Sequence, residues 1–365
     1  MTTIDVCSEP ELISAEWLTA ALTEAGVADG ATVTEVDFAG LIGTGQTGRN
    51  ARFMLTWSDP TGRPASVVAK IPSADPNARA SAFTTGNYVK EWLFYDRIAP
   101  TVDITVPKCF VARYDEATPD FVLIMEDIAG SEQGDQLEGL SPDRISTAIG
   151  ELVGLHAPHF GSPELATLLH TGQPTASTPD ELGLVLQLVY GATMAGFLDR
   201  LGDRLDDDIV QLVDDFAPHI ANWTQGTDTP PTLIHLDYRA DNLLFGVDEG
   251  APPLVVVDWQ TLSAGLGASD LAYLISGSYP DATQRAADER AFVEEYRSRM
   301  ATAGVELTAD AIWRDYRVGS LWGMIITVVA TMAAAQTERG DDMLTAMAQR
   351  HGRQALDLDA LSLIG

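Results

Sequence analysis

The stretch that most constrains the fold is Gly43-Thr44-Gly45-Gln46-Thr47-Gly48, which spells G-x-G-x-x-G. Two phosphate-binding turns share that spelling, and three glycines also make an ordinary tight turn, so the flanking residues decide. Before it, "ATVTEVDFAG" alternates as a strand does. After it, "ARFMLTW" places Phe53, Leu55 and Trp57 at every second position. "SDPTGRP" is a turn by composition, and "SVVAKI" reads as the returning strand. A dinucleotide-binding turn needs a helix directly after its glycines. A strand follows here, so the glycines sit at the tip of an antiparallel hairpin, and an NAD-binding oxidoreductase is excluded. A hairpin tip is where a loop that covers nucleotide phosphates belongs.

Charge narrows the partners. Lys and Arg number 22 against 53 Asp and Glu, a formal net charge of −31. A field of that sign repels nucleic acid and anionic membranes, so neither is expected as a partner. The acid either attracts a cationic substrate or simply keeps the surface soluble. Cys7 and Cys109 stand far apart, with no C-x-x-C, so no disulfide or zinc framework is expected. The N-terminus lacks the basic and apolar regions of a signal peptide, and a cytoplasmic location is expected. The uncharged run from Val318 to Ala335 is barely long enough to span a bilayer, and it reads as a core helix.

Residues 11–25 and 87–99 carry helical apolar spacing, the second ended by Pro100. "KCFVARY" and "FVLIMEDI" read as two further strands. Residues 130–140 are polar and glycine-bearing, which suggests a boundary, with 1–129 as a sheet-rich first part and 130–365 as a mainly helical second. Ser141 and Pro142 then open a helix as N-cap and first residue. Apart from short strands at 232–258, the rest is helical by pattern.

Several side chains stand where chemistry needs them. Lys70 shares a strand face with Val68, and a buried lysine needs an anionic partner, which Glu91 on the next helix could be. Together they would hold nucleotide phosphates. The other reading is an edge-strand lysine with its head in water. "PPTLIHLDYRADNLLFG", residues 230–246, clamps a polar loop between two apolar strands. In it Asp237 could accept or orient a hydroxyl proton, Asn242 could hold a divalent ion, and Arg239 could neutralise a phosphoryl group. His235 reads as a structural residue. The apolar run Leu254–Val257 ends in Asp258, whose carboxylate is either a Mg²⁺ ligand or a turn cap. Glycine hairpin, strand lysine, helix glutamate, H-x-D-x-x-x-x-N and an apolar strand ending in Asp form, in that order, the part list for phosphoryl transfer.

On these residues the chain, over roughly 35–280, resembles the aminoglycoside phosphotransferase and choline kinase superfamily. "VDWQTLSAGLGASDLAYLI" looks especially like its ecdysteroid-kinase-like branch, with Gln260 two positions after the metal aspartate. The resemblance implies an α+β, two-lobed protein-kinase-like fold, with an antiparallel N-lobe and a mainly helical C-lobe. It implies Asp237 as the catalytic aspartate, aided by Arg239, and Asn242 and Asp258 as metal ligands. Nucleotide contacts fall to Gly43, Gly45, Gly48, Lys70 and Glu91, with backbone from Glu126 to Ile128 against the base. His235, His156 and Asp270 are implied to be structural. ATP, or GTP in its place, with Mg²⁺ would phosphorylate a small-molecule alcohol. The alternative is a pseudokinase that senses nucleotide or metabolite. Asp270 follows Asp258 too soon for a peptide-docking segment, so no protein substrate is expected. Leu236 departs from the glycine usual in aminoglycoside enzymes. The acceptor is expected on helices at about 176–224 and 280–365. Those carry acids such as Asp203, Asp206 and Asp341, which suit an amine, and apolar residues such as Leu184, Leu188 and Phe197, which suit an apolar alcohol.

Overall fold

The structure is a computed structural model, and it describes residues 5–43, 47–171, 179–223, 227–333 and 336–365. The chain divides into two compact units. The first comprises residues 1–101, 106–131 and 257–262; the second comprises 102–105, 132–256 and 263–365.

The first unit is a five-stranded antiparallel sheet of β1 (Val33–Ile42), β2 (Gly48–Trp57), β3 (Ser66–Pro72), β4 (Cys109–Tyr114) and β5 (Phe121–Glu126), ordered β1-β2-β3-β5-β4. One face packs on α1 (Ala15–Glu24), whose Leu18, Ala21 and Leu22 join Phe53, Leu55, Trp57, Val67, Ala69, Ile71, Val122 and Ile124 in one apolar cluster. Ser14 caps α1 by accepting from the Trp17 amide. Because β3 sends Val67, Ala69 and Ile71 to that cluster, alternation turns Val68 and Lys70 to the opposite face. β3 lies inside the sheet between β2 and β5, which rules out the edge-strand reading of Lys70. Next come α2 (Pro76–Thr84) and α3 (Asn87–Leu93). The helix expected over 87–99 is α-helical only to Leu93. It widens to a π turn over Phe94–Ile98 and tightens to a 3₁₀ turn over Ala99–Thr101.

In the second unit, β6 (Ser131–Gln133) starts at the boundary and leads to α4 (Pro142–His156), with Ser141 accepting from the Arg144 amide and Pro142 at the first turn, as the sequence implies. The helices α5 (Leu165–Leu168), α6 (Pro179–Leu201), α7 (Asp207–Phe216) and α8 (Ile220–Trp223) lead to the short strands β7 (Thr232–Ile234), β8 (Leu243–Gly246), β9 (Leu254–Val256) and β10 (Ser263–Gly265). β8 lies between β6 and β9, and β7 pairs with β10. Five helices follow: α9 (Gly267–Ser278), α10 (Ala282–Thr302), α11 (Ala309–Gly319), α12 (Trp322–Ala333) and α13 (Glu338–Asp357). The apolar run from Val318 is not one span. It breaks between α11 and α12, and Val318, Leu321, Met324, Ile325 and Val328 are buried with Tyr190, Phe197 and Phe216. Ala334 and Ala335 lie outside the described residues. Among the described residues, one helix is long and apolar enough to cross a membrane, Leu182–Arg204.

Candidate active site

The first unit buries a cluster of charge around Lys70. Lys70 Nζ lies 2.8 Å from Glu91 Oε1 and 2.8 Å from Asp258 Oδ1. Lys70 is 8% exposed and Glu91 1%, so both ions need these partners. Burial alone would lower the Lys70 pKa; the Asp258 and Glu91 carboxylates outweigh it, and the net shift is upward. Burial raises Glu91, against the pull of Lys70. Asp258 sits at φ 71°, a left-handed conformation that Asp tolerates better than most residues. Trp259 stacks on Phe94 with centroids 3.6 Å apart and planes 2° from parallel, which anchors the segment carrying Asp258.

The glycine stretch divides by position. Gly43 has φ 73°, a left-handed conformation suited to glycine. Gly45 lies outside the described residues. At Gly48 a Cβ would come within 3.2 Å of the Ile71 carbonyl oxygen and 3.7 Å of Lys70 Cε, so a glycine lets β2 run close over the lysine. Tyr88 donates to the Thr47 carbonyl at 2.6 Å and accepts from the Ser73 amide at 3.1 Å. At the end of β5, Glu126 is exposed and its amide donates to the Lys108 carbonyl at 2.8 Å. The Ile128 carbonyl accepts from Ser131 at 3.1 Å.

The second unit presents the polar loop. His235 follows β7 directly and Asn242 precedes β8 directly, so the loop is held at both ends by strands. Asp270, fully buried near the start of α9, grips its main chain. Oδ2 accepts from the His235 amide at 2.6 Å and Oδ1 from the Leu236 amide at 2.8 Å. His156 joins this group, with Nδ1 2.9 Å from Tyr296 Oη and Nε2 3.4 Å from Asp270 Oδ2. Leu236 stands at φ 65°, where glycine would be unstrained. Its carbonyl accepts from Trp322 Nε1 at 2.8 Å. His235 is buried, with Nδ1 accepting from the Asp237 amide at 3.3 Å.

Around Asp237 the side chains converge. Asn242 Nδ2 donates to Asp237 Oδ2 at 3.0 Å and to its carbonyl at 2.8 Å. Arg239 Nε lies 3.1 Å from Asp237 Oδ1, and its Nη1 lies 2.6 Å from Asp241. Tyr273 Oη donates to Asp237 Oδ1 at 3.3 Å. Burial and the Asp237 carboxylate both raise the Tyr273 phenol. The sequence reading missed Tyr273; its one signal is its place a helical turn after Asp270.

The donor types suit magnesium. In the second unit the nitrogen of Asn242 is committed to Asp237, which leaves its amide oxygen as a hard donor; in the first unit Asp258 carries carboxylate oxygens, also hard donors. Among the described residues no group of three or more His, Cys, Asp or Glu could hold a metal.

Elsewhere in the second unit, a cavity of about 530 Å³ is lined by Gly196, Asp199, Arg200, Thr331, Met332 and Asp341. Several acids expected to greet an amine are already paired: Asp341 with Arg200, Asp342 with Arg204, and Asp206 and Asp208 with Arg353. Leu184, Val185 and Leu188 of α6 are exposed.

Solved structures share this fold at low identity. A wild-type aminoglycoside 2'-phosphotransferase-IIIa, solved as its GDP complex, is 14% identical with a TM-score of 0.53, covering 92% of this chain and 99% of that one. The ethanolamine kinase of Plasmodium vivax is 13% identical with a TM-score of 0.51, covering 88% of this chain and 81% of that one. These neighbours bear out the α+β, protein-kinase-like fold. No curated protein matches the sequence. The model of the phosphotransferase enzyme family matches residues 47–302, and the chain belongs to that family.

Proposed function

We propose that the protein transfers the γ-phosphate of ATP to a hydroxyl of a small molecule. The observation that carries this reading is Asp237, fixed on a loop whose main chain is gripped by buried Asp270 and whose carboxylate is oriented by Asn242, Arg239 and Tyr273. The acceptor hydroxyl would donate to Asp237 as its oxygen attacks the γ-phosphorus. The bond to the β,γ-bridging oxygen breaks, ADP leaves with the electron pair, and the proton passes to Asp237. Because the transition state is loose, positioning and charge neutralisation supply most of the acceleration. Lys70, fixed by Glu91, would hold the α- and β-phosphates, with the glycine stretch over them and the backbone from Glu126 to Ile128 against the base. Magnesium, when bound, neutralises phosphate charge, and Asp258 and Asn242 are the residues that would offer it oxygen.

The family supports phosphotransfer. Two fold neighbours, an aminoglycoside phosphotransferase and an ethanolamine kinase, support a small-molecule acceptor. The cavity at Asp199, Arg200 and Asp341 falls in the size range of small-molecule sites, and we assign the acceptor to this region.

The test is ADP release from MgATP with a panel of aminoglycosides, choline, sugars, macrolides and steroids. Acceptor-stimulated release is expected, and Asp237→Ala should lower it by about 10²–10⁴-fold, the range for loss of a general base. Release that survives this substitution would remove Asp237 from the chemistry. Nucleotide binding with no stimulated release by any acceptor would favour a sensor.

A further inference from the structure

Gln260 is two residues beyond Asp258 and belongs to no strand or helix. Its Nε2 donates to Asp258 Oδ2 at 3.3 Å, while its Oε1 accepts from the Thr47 hydroxyl. The geometry points to Gln260 as a positioning residue that straps the end of the glycine stretch to the carboxylate that would meet the metal. This rests on the phosphotransferase reading of the same site.

The direction of the strap follows from its chemistry. A carboxylate only accepts, so the amide nitrogen must face Asp258 and the amide oxygen must face Thr47. Thr47 is then obliged to donate, which a valine of the same shape cannot do. Thr47 is held twice, through its hydroxyl by Gln260 and through its carbonyl by Tyr88. The Asp258 carboxylate is divided likewise, with Oδ1 on Lys70 and Oδ2 on Gln260. Both oxygens are engaged, so the carboxylate cannot turn about its own bond without breaking a contact. A cation arriving there meets a preset orientation, and the loop end is set by the same amide. Metal binding and loop geometry are thereby one coupled event. Without the strap, nucleotide would still bind, but magnesium would add less to its affinity.

The experiment compares ADP affinity by calorimetry, with Mg²⁺ and with EDTA, for the full chain, Gln260→Leu, Thr47→Val and the double variant. In each single variant the Mg²⁺-dependent gain in affinity should fall by about tenfold, with metal-free ADP binding little changed; the double should be no worse than either, as members of one network are not additive. Hydrogen exchange of the amides at 47–50 should also quicken in both single variants. Losses that add, or a Thr47→Val protein with the parent's Mg²⁺ gain, would overturn the strap. If the parent binds no ADP under either condition, the phosphotransferase reading of the site fails. The strap then stands or falls on exchange, and parent-like protection at 47–50 in Gln260→Leu would end it.

Discussion

Lys70 stands between two carboxylate oxygens, each 2.8 Å from its Nζ. Lys70 and Asp258 were recognisable as charged residues on apolar strands and Glu91 by its place on the next helix, and the structure brings the three together. Tyr273 gave no such signal, since a tyrosine on a buried helix has ordinary uses, and Gln260 stood out only through the family resemblance, with no partner implied. Their roles come from contacts with Asp237 and Thr47 that no local pattern encodes. His351 is another such case. It is buried, stacked on Tyr273 with centroids 4.7 Å apart, and neither ring nitrogen has a hydrogen-bond partner among the described residues. Burial, with help from Arg350, pushes its pKa down from 6.5 to about 3. The unfolded chain therefore takes up this proton near pH 6.5 and the folded chain only near pH 3. Between those values falling pH favours unfolding through this residue, by roughly 1.4 kcal/mol per pH unit. His351→Phe keeps a flat ring and removes the proton site. Urea unfolding of the variant should lose stability less steeply than the parent from pH 6.5 downward, with the two running parallel above it.

At the scale of elements, periodicity located the five strands of the first unit and the helices that open near residues 11, 87 and 141, because amphipathic faces repeat within a few residues; it placed no strand at β6 or β10 and no helix at α2. It did not foresee the π turn at Phe94–Ile98, which has no pattern of its own. Helix contact distances were equally hidden. At Gly319 in α11, a Cβ would lie 2.8 Å from the Ala268 carbonyl oxygen and 2.9 Å from Ser269 Cα, both main-chain atoms of α9. At Gly191 in α6, nothing lies within 4 Å of that position. The same substitution should thus act in opposite directions. Gly191→Ala gains helix propensity and should raise unfolding free energy by about 0.5–1 kcal/mol. Gly319→Ala must push α11 away from α9 and should lower it by about 1–3 kcal/mol. Denaturant melts of the two variants against the parent check both signs. Since α9 carries Asp270 and Tyr273, Gly319→Ala should also impair turnover, while Gly191→Ala should not.

For the whole molecule, the excess of acid is the dominant fact. A formal charge of −31 opposes compaction, and many of the arginines lie in pairs that relieve only part of it. Raising NaCl from about 10 mM to about 500 mM screens the long-range repulsion more than the closest pairs, so the melting temperature should rise. A fall would mean that ion pairs outweigh net repulsion. The division into units also has a consequence in time. The first unit takes residues 257–262 from late in the chain, between two stretches of the second. Asp258, Trp259 and Gln260 are all in that piece. During synthesis from the N-terminus the sheet emerges early, yet Lys70 lacks its second carboxylate, Phe94 its stacking partner and Thr47 its acceptor until the ribosome has passed residue 262. A nascent chain halted before that point carries the sheet strands but not the finished cluster of Lys70, Glu91 and Asp258.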